Sequence, residues 1–163
     1  MNTWIRFEPN EPPAPSVALA TSSGGKRGRK PFEKFAISDF RGKSNLVVFF
    51  AHGWSCPACR TLLGRFSVEY PWLDAQVLAV VPDLNEAPPE NLAGVPALID
   101  PGGLLHNQFA ALIEFEFPGE LMLFVLNSYN SPVRAWVGEE ADELDLVQKV
   151  KEALDYIVIQ CPE

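Results

Sequence analysis

Cys56 and Cys59, in the stretch Gly53-Trp54-Ser55-Cys56-Pro57-Ala58-Cys59-Arg60, are the residues whose type and spacing most directly promise chemistry. A cysteine attacks as the thiolate, so a nucleophilic one must have its ordinary pKa of about 8.5 lowered. The start of a helix does this with unpaired backbone N–H groups and the helix dipole. Pro57 suits the first turn of a helix, and Leu62, Leu63 and Phe66 give that helix a buried side. Cys56 then stands at the helix start as the exposed attacker. The spacing of three puts Cys59 about one turn further on, near enough to close a disulfide and act as resolver. Trp54 can form an apolar lip beside the pair, while His52 either donates to a thiolate or caps the end of the preceding segment. A zinc site is the competing use of such a pair, but it supplies only two ligands, and His52 or Cys161 would have to complete the four. The expectation is no metal and no cofactor.

The elements around the pair must hold it in place. Leu46-Val47-Val48-Phe49-Phe50 is continuous, apolar and without alternation, which predicts a strand covered on both faces. The chemistry thus falls at a strand-to-helix junction, where a close cysteine pair is mostly redox in character. Gln76–Val81 and Leu121–Leu126 read as further buried strands, and Ala97–Ile99 as a short one ended by Asp100-Pro101-Gly102-Gly103. Leu104–Ile113 is a helix, and the turn Asn127–Pro132 leads into Val133–Val137 as an antiparallel hairpin. Leu144, Val147, Val150, Leu154, Ile157 and Val158 recur at helical spacing and predict a closing amphipathic helix of about four turns. Earlier, strands near Ser16–Ala20 and Phe35–Ile37 flank a Gly24-Gly25 turn. The order predicts an α/β fold with a central mixed β-sheet flanked by helices and an N-terminal β-hairpin extension.

Composition narrows the function. An apolar fraction of 47% in 163 residues fills one ordinary core, so a single domain over 16–163 is expected, preceded at 1–15 by an extended arm rich in proline (Pro9, Pro12, Pro13 and Pro15). A formal net charge of −8 argues against a nucleic-acid surface. Seven of the thirteen basic residues fall between Lys26 and Lys43, which reads as a solvated turn in preference to an anion or partner patch. No window approaches eighteen uninterrupted apolar residues, so no membrane partner is expected. The first thirty residues hold Arg6, Glu8, Glu11 and prolines where a secretory leader needs an apolar core. Three cysteines are too few for a disulfide scaffold and fit a reducing compartment, the cytoplasm.

The run Ile37-Ser38-Asp39-Phe40-Arg41-Gly42-Lys43, Leu46–Phe50 and Gly53–Arg60 resembles the opening of the thioredoxin-fold redoxins. It is most similar to the peroxiredoxin-like branch, the alkyl hydroperoxide reductase and thiol-specific antioxidant (AhpC/TSA) group. Val77–Asp83, Leu98–Gly103 and Phe124–Asn127 follow in the expected order, so the resemblance spans roughly Ser16 to Ile157. It implies a thioredoxin-like fold and thiol–disulfide exchange, with Cys56 and Cys59 cycling between dithiol and disulfide. Protein or small-molecule disulfides and a thiol reductant would be the partners, with a dimer left open. Peroxide-reducing members carry Thr or Ser three residues before the attacking cysteine and an Arg just before the penultimate strand; this sequence has Gly53 and, near the second position, Leu121, which counts against peroxidase activity. Pro118 is the nearest candidate for the proline that faces the cysteines in thioredoxins, whereas Pro96 reads as an ordinary turn proline. Cys161 reads as an incidental thiol or a third partner in exchange. A peroxidase using Cys56 and a non-enzymatic binding module are the alternatives.

Overall fold

Strands that are apolar at every position need cover on both faces, and the architecture supplies it. The computed structural model describes residues 3–9, 11–20, 34–53, 56–69, 75–82, 95–114, 121–138 and 143–160. In chain order these form strands β1 (Thr3–Arg6), β2 (Leu19–Ala20), β3 (Lys34–Phe35) and β4 (Asn45–Phe50), then helix α1 (Pro57–Glu69). Strands β5 (Ala75–Val81) and β6 (Ala97–Ile99) follow, then helix α2 (Leu104–Leu112), strands β7 (Leu121–Leu126) and β8 (Pro132–Gly138), and helix α3 (Glu143–Gln160). A six-stranded sheet has the order β1-β8-β7-β4-β5-β6. Its strand β4 runs parallel to β5 and antiparallel to β7. This is the expected mixed sheet flanked by helices, a thioredoxin-like fold, and most strand limits fall within a residue or so of those read from the sequence.

Side chains alternate along each strand, so one sheet faces two cores. Val47, Phe49, Val77, Ala79, Leu123 and Val125 meet Leu62, Leu63 and Phe66 of α1 and Val147, Val150 and Leu154 of α3. Leu46, Val48, Phe50, Leu78, Met122 and Phe124 point the other way, onto Leu105 and Phe109 of α2 and onto Ile37 and Leu19. That second core holds an aromatic stack in which the Phe109 ring lies 5.0 Å from Phe50 and 4.8 Å from Phe124, centroid to centroid. Such tilted and edge-on pairs add to the area they bury.

The amino-terminal part differs from the sequence reading in two respects. Thr3–Arg6, inside the proline-rich stretch, is a strand paired antiparallel with β8, an element the sequence reading did not include. It gives β8, otherwise the sheet's open edge, a partner; four residues with only Trp4 and Ile5 half-buried carry too little pattern to announce a strand. The hairpin extension is present, with Leu19 opposite Phe35 and Ala20 opposite Lys34. Its second strand stops at Phe35, however, and Ile37 opens a short 3-10 turn, Ile37–Phe40. Asp39 accepts the Ala36 N–H at 2.9 Å and draws the chain into that turn, so the β-branched Ile37 is buried as a plug and not as a strand residue.

Candidate active site

The central strand β4 delivers the site. Its ladder continues one residue past its end, where the Ala51 N–H donates to the Val80 carbonyl at 2.9 Å, and His52 and Gly53 then leave the sheet. The carboxyl end of this strand lies between a parallel and an antiparallel neighbour, where ligands gather in open α/β sheets. Pro57 is the first residue of α1, as its missing N–H allows. Cys56 immediately precedes it, half-buried, and its carbonyl accepts the Arg60 N–H at 3.1 Å, the first bond of the helix.

One turn on, Cys59 is fully buried, at 0% exposure. Its N–H donates to the Cys56 sulfur at 3.3 Å, and the His52 N–H donates to the Cys59 sulfur at 3.4 Å. Both residues are free thiols in this structure. Burial first, and then the bond its S–H makes to Cys56, push the Cys59 thiol up to about 12; the main-chain N–H groups of His52 and Gly53 pull the other way. At neutral pH Cys59 therefore keeps its proton and waits behind the half-buried Cys56. This division suits thiol–disulfide exchange, in which the outer sulfur meets the substrate and the inner one closes the intramolecular bond.

The other expected site residues divide clearly. His52 is exposed, its main chain is bound to Cys59, and a ring nitrogen lies within 4.8 Å of both sulfurs. Pro57 is exposed at the helix start, and Arg60 is exposed one turn further. Trp54, Pro118 and Cys161 lie outside the described residues. No peptide bond among the described residues is cis, and Pro96, immediately before β6, extends the β5–β6 pairing by one bond, its carbonyl accepting the Ala79 N–H at 2.9 Å. The two positions that differ from peroxide-reducing redoxins keep their character: Leu121 is fully buried in the core, and Gly53 has φ of +149°, a conformation that side-chain-bearing residues rarely adopt.

Sequence reasoning missed a neighbouring cleft of about 190 Å³. Phe50, His52, Val80, Pro82, Asp100 and His106 are among its walls. His106 belongs to α2, fifty residues from the pair along the chain, and only the packing of α2 against the ring of Phe50, 5.7 Å from that of His106, brings it near. No local pattern in the sequence marks it. Asp100 was legible as a turn residue alone, although its carboxylate is buried and holds the start of α2.

No family model matches the chain, and no curated protein matches it in sequence. Solved structures do resemble it in fold. Xanthomonas campestris peroxiredoxin Q superposes with a TM-score of 0.65 at 21% identity, covering 86% of this chain and 90% of that one. A DsbF homologue from Corynebacterium diphtheriae gives a TM-score of 0.65 at 14% identity, over 93% of this chain and 92% of that one. A secreted Mycobacterium tuberculosis disulfide oxidoreductase homologous to Escherichia coli DsbE gives 0.60 at 14% identity, over 84% and 95%.

Proposed function

We propose that this thioredoxin-fold chain is a thiol–disulfide oxidoreductase that cycles Cys56 and Cys59 between dithiol and disulfide. The observation that carries the reading is the unequal pair itself: a half-buried sulfur at the first turn of α1 and, one turn behind it, a fully buried thiol whose own N–H is aimed at that sulfur. In the forward direction the Cys56 thiolate attacks one sulfur of a substrate disulfide, and the other substrate sulfur leaves as a thiolate and takes a proton. The Cys59 thiol then gives up its proton and attacks the Cys56 sulfur, releasing the second substrate thiol and leaving a Cys56–Cys59 disulfide. Two electrons have passed to the substrate, and a thiol reductant restores the pair.

Protein or small-molecule disulfides are the substrates in this reading, and the reducing cytoplasm is the compartment that keeps the pair supplied with electrons. No helix among the described residues is long and apolar enough to cross a membrane. The lip assigned to Trp54 and the facing proline assigned to Pro118 belong to the same proposal, as does placement in the AhpC/TSA group with an antioxidant role. Two of the structural neighbours are described as a peroxiredoxin and as a protein with alkyl peroxide reduction activity. For this chain, Gly53 and Leu121 count against peroxide as the substrate. The test is the Cys59→Ser variant, which should accumulate mixed disulfides through Cys56, visible as adducts that dissolve on reduction. Full turnover by Cys59→Ser, with no adduct, removes Cys59 as the resolving thiol and with it the proposed cycle.

A further inference from the structure

We propose that the reduced site also binds a thiophilic divalent cation, zinc being the ion it fits, through the sulfurs of Cys56 and Cys59 and a ring nitrogen of His52. The inference rests on the exchange reading in one respect, that the same two sulfurs alternate between thiol and disulfide. The three donor atoms all lie within 4.8 Å of one another. In a tetrahedral zinc site with Zn–S of about 2.3 Å and Zn–N of about 2.0 Å, donor atoms stand roughly 3.5–3.8 Å apart, so closure needs movements of about 1 Å. His52 can supply that movement, because its side chain is exposed while its main chain is anchored to the Cys59 sulfur.

Three further features favour a thiophilic divalent ion such as zinc. The donors are two sulfurs and one imidazole, a set that zinc accepts and hard oxygen-seeking cations do not. On binding, the ion displaces the Cys59 proton to solvent, and two thiolates then cancel the charge of a divalent ion, so the fully buried Cys59 end of the site is left with no net charge to desolvate; a monovalent ion would leave one uncompensated. Each sulfur already accepts a main-chain N–H, from Cys59 at 3.3 Å and from His52 at 3.4 Å, and such outer contacts orient the lone pairs of metal-bound sulfur. The fourth position faces solvent, since Cys56 is half-buried and His52 exposed.

The site is gated by the redox state of the pair. When an incoming disulfide takes two electrons, its S–S bond breaks to give two thiolates and the Cys56–Cys59 bond forms. The divalent ion is then released, and its charge is balanced by those two thiolates. The ion therefore belongs to the reduced protein alone. To test this, the full chain is reduced with a phosphine, stripped of metal with a chelator and titrated with Zn²⁺ against a chromophoric zinc indicator, with Co²⁺ as a second, spectroscopic probe. The expected result is one zinc per chain, with a thiolate-to-cobalt charge-transfer band and tetrahedral visible bands for Co²⁺. The disulfide form should bind none, and His52→Ala should bind zinc at least about tenfold more weakly. Zinc affinity in the wild type no greater than in Cys56→Ser, or in His52→Ala equal to wild type, overturns the proposal. Disulfide reduction is assayed separately on metal-free protein: exchange without zinc binding removes this inference alone, and zinc binding without exchange supports the site while removing the proposed activity.

Discussion

Helices α1 and α2 both begin at the carboxyl-terminal edge of the sheet, after strands that run in the same direction, and they answer their unpaired N–H groups with different atoms. At α2 the Asp100 carboxylate, 2% exposed, accepts the Leu105 N–H at 3.0 Å and the His106 N–H at 2.9 Å, the second and third of the helix. Reaching them requires Gly102 and Gly103, with φ of 70° and 68°, to turn the chain through left-handed conformations. At α1, where Pro57 has no N–H, the Cys56 sulfur takes the N–H of Cys59, the third residue of its helix, at 3.3 Å. The two starts are the same device with different chemistry in the acceptor. A carboxylate does no bond-making here and makes its helix start structural. A sulfur changes between thiol, thiolate and disulfide, so the start that holds it can follow a reaction.

The sharpest way to separate the two is Cys56→Ser. A serine hydroxyl caps at least as well as a thiol, so unfolding free energy should shift by less than about 1 kcal/mol. Disulfide reduction should fall to nothing, because an alcohol cannot form the mixed disulfide. Denaturant melts and a disulfide-reduction assay on the same preparation read both. Residual turnover would detach the chemistry from the start of α1, and a loss of several kcal/mol would make Cys56 a structural cap like Asp100.

A second and smaller effect concerns oxygen in place of sulfur. The start of α1 commits its second N–H to Cys56, Gly53 offers no hydroxyl, and Leu121 is apolar and buried in the core. Nothing in that set holds the oxygens of a peroxide as its O–O bond breaks. Loss of one such oriented donor typically costs about a hundredfold or more in rate. Hydrogen peroxide consumption dependent on Cys56 should therefore run at least about a hundredfold below that of dedicated peroxidases. A rate equal to theirs would show that another group fills the role and would move the reading from exchange to peroxide reduction.

The two helix starts also differ in how legible they were. Everything that makes α1 a site is local in sequence: the apolar run of β4, Pro57 at the first helical position, and the spacing of Cys56 and Cys59. The buried strands and α3 were readable for the same reason, since continuous runs and helical spacing are properties of short windows. At α2 the turn was readable from Asp100-Pro101-Gly102-Gly103, but the carboxylate's two partners were not, because they depend on how far the two glycines swing the chain. His106 beside the cleft and β1 against β8 were hidden by distance: each acquires its place from an element far away in the chain. Ile37 misled because β-branching favours a strand, and one carboxylate, Asp39, was enough to turn the backbone elsewhere.

The smallest effect tests the structural half of the comparison. Asp100→Ala leaves the Leu105 and His106 N–H groups without their acceptor at a place where the carboxylate is almost wholly shielded from water. Losing a cap costs about 1 kcal/mol, and stranding buried donors raises this to about 1–3 kcal/mol. For a chain of this size each kcal/mol lowers the melting temperature by roughly 2–4 °C, so a fall of several degrees is expected in a thermal scan. Asp100→Asn keeps one oxygen acceptor at nearly the same position and should recover a good part of the loss. The Asp100 main-chain N–H, bound to the Val81 carbonyl at 2.8 Å, is present in both variants, so the difference between them reports the side chain alone. If Asp100→Ala melts with the wild type, water reaches the start of α2 after all, and the buried carboxylate there must be sought a role in the adjoining cleft instead.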